Sequence, residues 1–460
     1  MKPESRPQGR IPNWLTWLAS GFSLWFAASG CQRVPPPKPA AESPQQAAAA
    51  VAHGGHAASP ALAPARPAAS PPDSAMELAT LSGAPFTGGE QAFRAIKDTL
   101  RNKYYRPGLT DDELYRAAVA GMLQLLEPQL SAWNKLMSPE EVRDLHSDMQ
   151  GSIVGIGVEI RFEEDSGISD VLSVIPGSPA ERAGLHNGDK ILTVGGKLYR
   201  GKGLRDVVSD LRGKPGEVVN LTALRGADVL SLSIRRERVA YDQVKALPLP
   251  GELGYIYIRQ FTENTPTVLS MLLRDLQAKR VRGLVIDLRG NQGGLLDKAL
   301  SSAELFLKAG TPITQLAHRG GTRETLTSRA TGAVSSPPIA LLIDHETASS
   351  AELLAGALHE GIGAHLIGSR TYGKGTVQRV EELPNGYAYK YTASHFLLPS
   401  GKPIEGRGLT PDIEVSLSLP DGQGYERQLS RVQHMPGDEE RLRLDAPLRA
   451  AVHILRLSQR

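Results

Sequence analysis

Ile339-Ala340-Leu341-Leu342-Ile343-Asp344-His345-Glu346-Thr347-Ala348-Ser349-Ser350-Ala351-Glu352-Leu353-Leu354 runs from five consecutive apolar residues, through a polar turn, into a helical pattern that continues to Leu358. Unbroken hydrophobicity, without alternation, marks a strand buried on both faces. Gly254-Tyr255-Ile256-Tyr257-Ile258 and Gly283-Leu284-Val285-Ile286-Asp287-Leu288 read the same way, and helical stretches separate the runs. Strands alternating with helices predict an α/β layer fold over residues 239–420. A serine at a strand-to-helix turn presents its hydroxyl beside helix N–H groups that can stabilise an oxyanion. Ser349 sits at such a turn. Lys374 follows 25 residues later within Gly373-Lys374-Gly375, and Gln378 lies four positions beyond it.

Other chemistries fit less well. There is no Gly-x-Ser-x-Gly elbow and no His-Glu-x-x-His pair; His359 and His365 are six apart, off the spacing of helical zinc ligands. Residues 368–374 match a phosphate-binding loop until Gly375, which stands where a Ser or Thr would hold magnesium, and residues 376–380 read as strand. With 52 basic and 49 acidic residues the formal charge is +3, which argues against a nucleic-acid binder. The single cysteine, Cys31, allows neither an intrachain disulfide nor a thiolate cluster. At 460 residues, 40% of them hydrophobic, the chain has length for about three domains and too little apolar sequence for a multi-span membrane protein.

Residues 1–31 read as an export signal. Lys2, Arg6 and Arg10 precede an apolar run over 14–28, short for a bilayer span, and Ala27-Ala28-Ser29-Gly30-Cys31 places small residues before the cysteine. Lipidation at Cys31, ordinary signal cleavage and a retained anchor are all open readings, and Gln32 favours the outer over the inner membrane if a lipoprotein forms. Residues 32–87 hold an Ala/Pro-rich tether, with ten of the chain's 33 prolines between Cys31 and Ala75. Residues 88–150 form a small helical module: Ala92, Phe93, Ile96 and Leu100, then Leu114, Ala118, Met122 and Leu125, recur at helical spacing. Trp133 and Met137 are expected to pack it. After Pro420 the chain turns polar, and residues 421–460 are read as a partly helical tail without an evident role.

Over residues 151–238, Gly155-Ile156-Gly157-Val158 leads into an alternating strand. Ser178-Pro179-Ala180, Ala183-Gly184-Leu185 and Gly188-Asp189 follow. The combination resembles a PDZ domain of the bacterial, circularly permuted kind. The resemblance implies that Gly155, Ile156, Gly157 and Val158 bind an extended peptide by strand addition, with loop N–H groups on its terminal carboxylate.

Leu288-Arg289-Gly290-Asn291-Gln292-Gly293-Gly294, Thr347 to Glu352, Thr371 to Gln378, Leu398-Pro399-Ser400-Gly401 and Gly408-Leu409-Thr410-Pro411-Asp412 together resemble the C-terminal processing peptidases, or tail-specific proteases, of family S41. The resemblance implies an S41-type (crotonase/ClpP-like) α/β core with an inserted PDZ domain. Position by position it implies Ser349 as nucleophile, Lys374 as general base and Gln378 as the residue orienting the lysine. Backbone N–H groups of Ser350, Gly293 and Gly294 would form the oxyanion hole. It implies no cofactor and no metal. The implied partners are protein or peptide substrates with accessible C-termini, a homo-oligomer, an adaptor, and the membrane through a lipid anchor. The implied compartment is the periplasm. Ser350 is a rival nucleophile, Glu127-Pro128-Gln129 and Gln292 depart from the family pattern, and a catalytically silent PDZ scaffold is the alternative from another functional class.

Overall fold

The computed structural model describes residues 18–19, 87–126, 133–163, 165–330, 337–417, 425–435 and 439–459. Cys31, most of the expected export signal and tether, and Glu127-Pro128-Gln129 lie outside the described residues. The chain forms two compact units, residues 28–111 and residues 112–460 joined by 1–27.

In the first unit, helix Gly89–Lys103 follows Gly88, whose left-handed backbone (φ 71°) starts it. Lys97 and Arg101 both reach the Asp111 carboxylate, at 2.9 and 3.1 Å, fixing the turn beyond the helix. Phe93, Ile96 and Leu100 are at least one-third exposed, as are Met122 of helix Asp111–Gln124 and Leu125 just after it, both in the second unit. The apolar spacing was therefore a true helix signal but not a packing one.

The second unit is built on a six-stranded sheet in the order Val244–Leu249, Leu253–Ile258, Gly283–Asp287, Ile339–Ile343, His365–Gly368, Ile413–Glu414. The first pair is antiparallel and the rest are parallel. Each apolar run divides its residues by parity, as the pleat requires. Ile256, Ile258, Leu284, Ile286, Leu341 and Ile343 face helices Thr265–Ala278, Leu296–Glu304 and Ser350–Ile362, together with Val377 and Phe396 of a second, antiparallel sheet. Tyr255, Val285, Ala340 and Leu342 face the other way.

That other face gives a place to residues 421–460, read from the sequence as a partly helical tail with no evident role. Helix Ala446–Leu457 lays Leu448, Ala451, Val452 and Leu455, an i, i+3, i+4, i+7 stripe, onto the sheet. Asp445 caps the helix through Leu448 N–H at 3.1 Å. Both its oxygens accept from Arg289, at 2.8 Å each, while Arg289 also pairs with Asp287. All three are fully buried. The core thus extends well past residue 420.

The antiparallel sheet runs Thr376–Glu382, Ala388–Leu397, Pro312–His318, Arg323–Thr327, with Lys135–Met137 added against Ala388–Leu397. That addition moves the end of the expected 88–150 module into this sheet. Ser138 and Glu141 cap helix Pro139–Met149 reciprocally, and Met137, Val142 and Leu145 pack on Ala388. Met137 packs as expected.

The expected PDZ module has its own five-stranded antiparallel sheet, Val158–Glu163 to Asp228–Arg235, and its own core around Ile156, Val171, Leu185 and Ile191. It rises from a two-stranded stalk in which Ser152–Gly155 pairs with Glu237–Ala240.

Candidate active site

Strand Ile339–Ile343 delivers the chain to a turn that the sheet forces to be tight. Ser349 stands at its apex, fully buried, with φ 57° and ψ −121°, a positive-φ conformation outside the left-handed helical basin that residues other than Gly seldom adopt. Its N–H donates to Glu352 Oε2 at 2.8 Å, and Leu353 N–H donates to its carbonyl at 3.0 Å. Its hydroxyl has no hydrogen-bond partner among the described residues. A helix-capping serine would commit that oxygen to the helix N–H groups; this one does not. The adjacent Ser350 hydroxyl is committed, donating to Gly294 O at 3.1 Å.

Glu352, on the first turn of helix Ser350–Ile362, is buried and accepts four donors. Oε1 takes Thr371 Oγ1 (2.5 Å) and Gly373 N–H (2.8 Å); Oε2 takes Ser349 N–H and Lys374 N–H (2.9 Å). One carboxylate therefore binds the serine turn to the lysine loop. Gly373 (φ 89°) allows the loop its path, since a Cβ there would lie 2.8 Å from Gly408 N. Residues from Thr376 on form strand, as the sequence predicts and as a phosphate-binding loop would not.

Lys374 is 2% exposed. Burial holds its amine well below the ordinary lysine range, Lys390 adds to this, and Glu405 and Glu352 oppose it. The amine lies over the Trp133 indole, 3.6 Å from the ring centroid. Lys390, equally buried, is pushed down to about 7 by burial, with Lys135 adding to the effect and Glu141 opposing it. Gln378 is fully buried, donates through Nε2 to Thr392 Oγ1 at 3.0 Å, and leaves Oε1 without a partner among the described residues.

The Gly293-Gly294 turn packs directly against the serine. A Cβ on Gly293 (φ 105°) would approach Ser349 Cβ to 2.8 Å, and one on Gly294 (φ 134°) would meet Phe261 O at 2.2 Å. Of the three expected oxyanion donors, Gly293 differs: its N–H donates to Asn291 Oδ1 at 2.8 Å. Asn291 Nδ2 in turn donates to Ile258 O, and Asn291 O accepts from Ala348 N–H, so this side chain sets the turn. Beside the turn is a slot for extended backbone: Leu18 and Ala19 pair antiparallel with Leu295 and Gly294, and Leu18 also stands opposite Gln378.

Gly155, Ile156, Gly157 and Val158 line a cavity of about 470 Å³ together with Val208 of helix Leu204–Leu211 and Arg259 of the core. Ile156 itself is only 2% exposed, and its carbonyl is already committed to Ala180 N–H at 2.8 Å. The Arg259–Glu159 ion pair, 2.9 Å, joins core to module at the cavity wall. Among the described residues no group of His, Cys, Asp and Glu is placed to hold a metal ion.

Sequence reasoning missed Glu352, Asn291, Lys390, Thr392 and the Trp133–Asn134 turn. Trp133, expected to pack the helical module, instead supports the lysine amine. For Glu352 a signal existed: Ser349-x-x-Glu352 has capping-box spacing, which marks a buried carboxylate acceptor without naming its partners.

The sequence profile of peptidase family S41 matches residues 252–415, and that of a PDZ domain matches residues 171–225. The carboxy-terminal processing protease CtpA of Bacillus subtilis is 34% identical over 321 residues, covering 70% of this chain and 67% of that one. A CtpA-like serine protease of Staphylococcus aureus is 34% identical over 317 residues, 69% of this chain and 62% of that one. The carboxy-terminal-processing protease of Bartonella bacilliformis is 34% identical over 359 residues, 76% of this chain and 81% of that one. Among solved structures, an S41 protease of Bacteroides fragilis superposes with a TM-score of 0.50 at 18% identity, over 74% of this chain and 96% of that one.

Proposed function

This chain belongs to peptidase family S41, with the carboxy-terminal processing proteases, and from that premise we propose that it is an exported endopeptidase using Ser349 as nucleophile, Lys374 as base and Gln378 to orient the lysine. Membership makes it a serine peptidase with a peptide-binding PDZ domain. The observation that carries the finer reading is the Glu352 carboxylate, which accepts from the backbone of both Ser349 and Lys374 and so holds nucleophile and base in one frame.

In the proposed reaction Ser349 Oγ attacks the scissile carbonyl carbon while its proton passes to neutral Lys374 Nζ. This requires the flexible lysine side chain to leave the Trp133 face; apo geometry in such sites is commonly looser than in the complex. Ser350 and Gly294 N–H groups receive the oxyanion. The lysine ammonium then protonates the departing amine. Water, deprotonated by the same lysine, releases the acyl group as a carboxylic acid and restores the serine. An extended substrate would enter as an added strand between Gly294–Leu295 and Gln378, the slot Leu18 and Ala19 occupy. Its C-terminal tail would lie in the cavity beside Gly155–Gly157. Periplasmic location, lipidation at Cys31, oligomerisation and an adaptor belong to the same proposal and rest on the sequence.

The test is cleavage of a disordered protein by the wild type, Ser349→Ala, Ser350→Ala and Lys374→Ala. Full loss in the first and third with activity retained in the second is the expected result. An active Ser349→Ala enzyme ends the reading, and an inactive wild type turns it toward a silent scaffold.

A further inference from the structure

We propose that Asn134 and Thr392 are positioning residues that decide which way the Gln378 side-chain amide faces. The inference rests on the reading of Lys374 as base and Gln378 as its partner, and it assigns that partner's orientation to a relay that starts at backbone groups.

The polarity of the relay follows from what each group can do. Asn134 is 2% exposed. Its Nδ2 lies 2.9 Å from Leu126 O, and its Oδ1 lies 2.8 Å from Thr392 N. A backbone carbonyl only accepts and a backbone N–H only donates, so the Asn134 amide has one permitted orientation. Its Oδ1 also lies 3.3 Å from Thr392 Oγ1. A carbonyl oxygen cannot donate, so the hydroxyl directs its single proton to Asn134. Only lone pairs of Thr392 Oγ1 remain for Gln378, and the Gln378 atom 3.0 Å away must therefore be the donor Nε2. The amide oxygen is thereby turned to the opposite side, where it is buried and has no partner among the described residues.

A buried amide oxygen held without a donor is an acceptor waiting for one. Lys374 supplies the donor in the proposed reaction: it carries N–H at every stage and gains one more on taking the Ser349 proton. Were the amide reversed, Nε2 would face the ammonium as that charge forms. Trp133, the neighbour of Asn134, carries the Lys374 amine on its ring. One turn of chain thus serves both members of the pair.

Two substitutions probe the relay from different ends. Thr392→Val keeps the branched shape but removes the hydroxyl, and Asn134→Leu leaves the hydroxyl free to donate to Gln378 Oε1. Both are expected to lower kcat about tenfold with little change in KM, the equivalent of one lost hydrogen bond. Both should also move the rising limb of the kcat–pH profile to lower pH, because an acceptor that favours the ammonium is lost. The charged groups facing Lys374, namely Lys390, Glu405 and Glu352, are untouched. Thr392→Ser should restore rate and profile. In a Gln378→Ala background neither change should have a further effect. Wild-type kcat and profile in both variants overturns the proposal, as does a full independent loss on top of Gln378→Ala. Activity in Lys374→Ala would instead overturn the reading beneath it.

Discussion

At Lys374, burial and the neighbouring Lys390 disfavour the ammonium together, and only Glu405 and Glu352 oppose them. A base that must be neutral to accept a proton gains from this, because the neutral fraction rises with pH through a pKa well below that of free lysine. Lys374→Arg should therefore be as inactive as Lys374→Ala, since arginine keeps its proton at any working pH. Single-turnover acylation of a chromogenic peptide checks this, and substantial arginine activity would identify another base. Lys390→Met removes a facing cation, so the Lys374 pKa rises and the acylation limb should move to higher pH. The same substitution has a stability signature of definite sign. Between about 10.5 and about 7 the unfolded state binds a proton that buried Lys390 refuses, so wild-type stability declines as pH falls through that window. Urea denaturation at pH 6, 8 and 10 should show this decline flattened in Lys390→Met.

Where helix Ser350–Ile362 begins, Glu352 is surrounded by donors alone. Glu352→Gln places an amide NH2 against them, and at least one buried N–H loses its acceptor, which costs about 1–3 kcal/mol. A fall in thermal stability together with a loss of activity of about tenfold or more is expected; an unchanged melting temperature with full activity would mean the two loops hold their places unaided. The elements differ in how much of themselves they showed beforehand. Strand Ile339–Ile343 was legible because a run apolar on both faces has few other solutions, and Ser349 because the strand-to-helix turn followed directly. Helix Ala446–Leu457 was visible as a helix, but an apolar stripe does not say which surface it covers, so its place on the sheet was not. Trp133 was legible as a packing aromatic and no further, since a ring that packs and a ring that carries an amine have the same one-letter context. Asn134 and Thr392 are polar residues whose importance lies in pairing across 258 positions, which no local pattern records.

For the whole molecule, the PDZ domain and the peptidase core are joined by the stalk Ser152–Gly155 and Glu237–Ala240. Removing residues 155–238 should reduce cleavage of a tailed protein at least about tenfold, through loss of effective concentration near the serine. Turnover of a short diffusible peptide should hold or rise. Equal cleavage of the tailed protein by both forms would take the module out of recognition. Ending the chain after Leu444 should expose Tyr255, Val285 and Leu342 and leave Arg289 without Asp445. Dye-binding, protease-sensitive and inactive protein is the expected result; a cooperative melt near the wild-type temperature would contradict it. The order in which a ribosome makes these parts then acquires meaning. Arg289 and Asp445 lie 156 residues apart, so at about 5–20 residues per second the central sheet waits roughly 8 to 30 seconds for its outer cover to be synthesised. Through that interval the face made by Tyr255, Val285, Ala340 and Leu342 has no cover from its own chain, while the opposite face, whose partners end at Leu409, can already close.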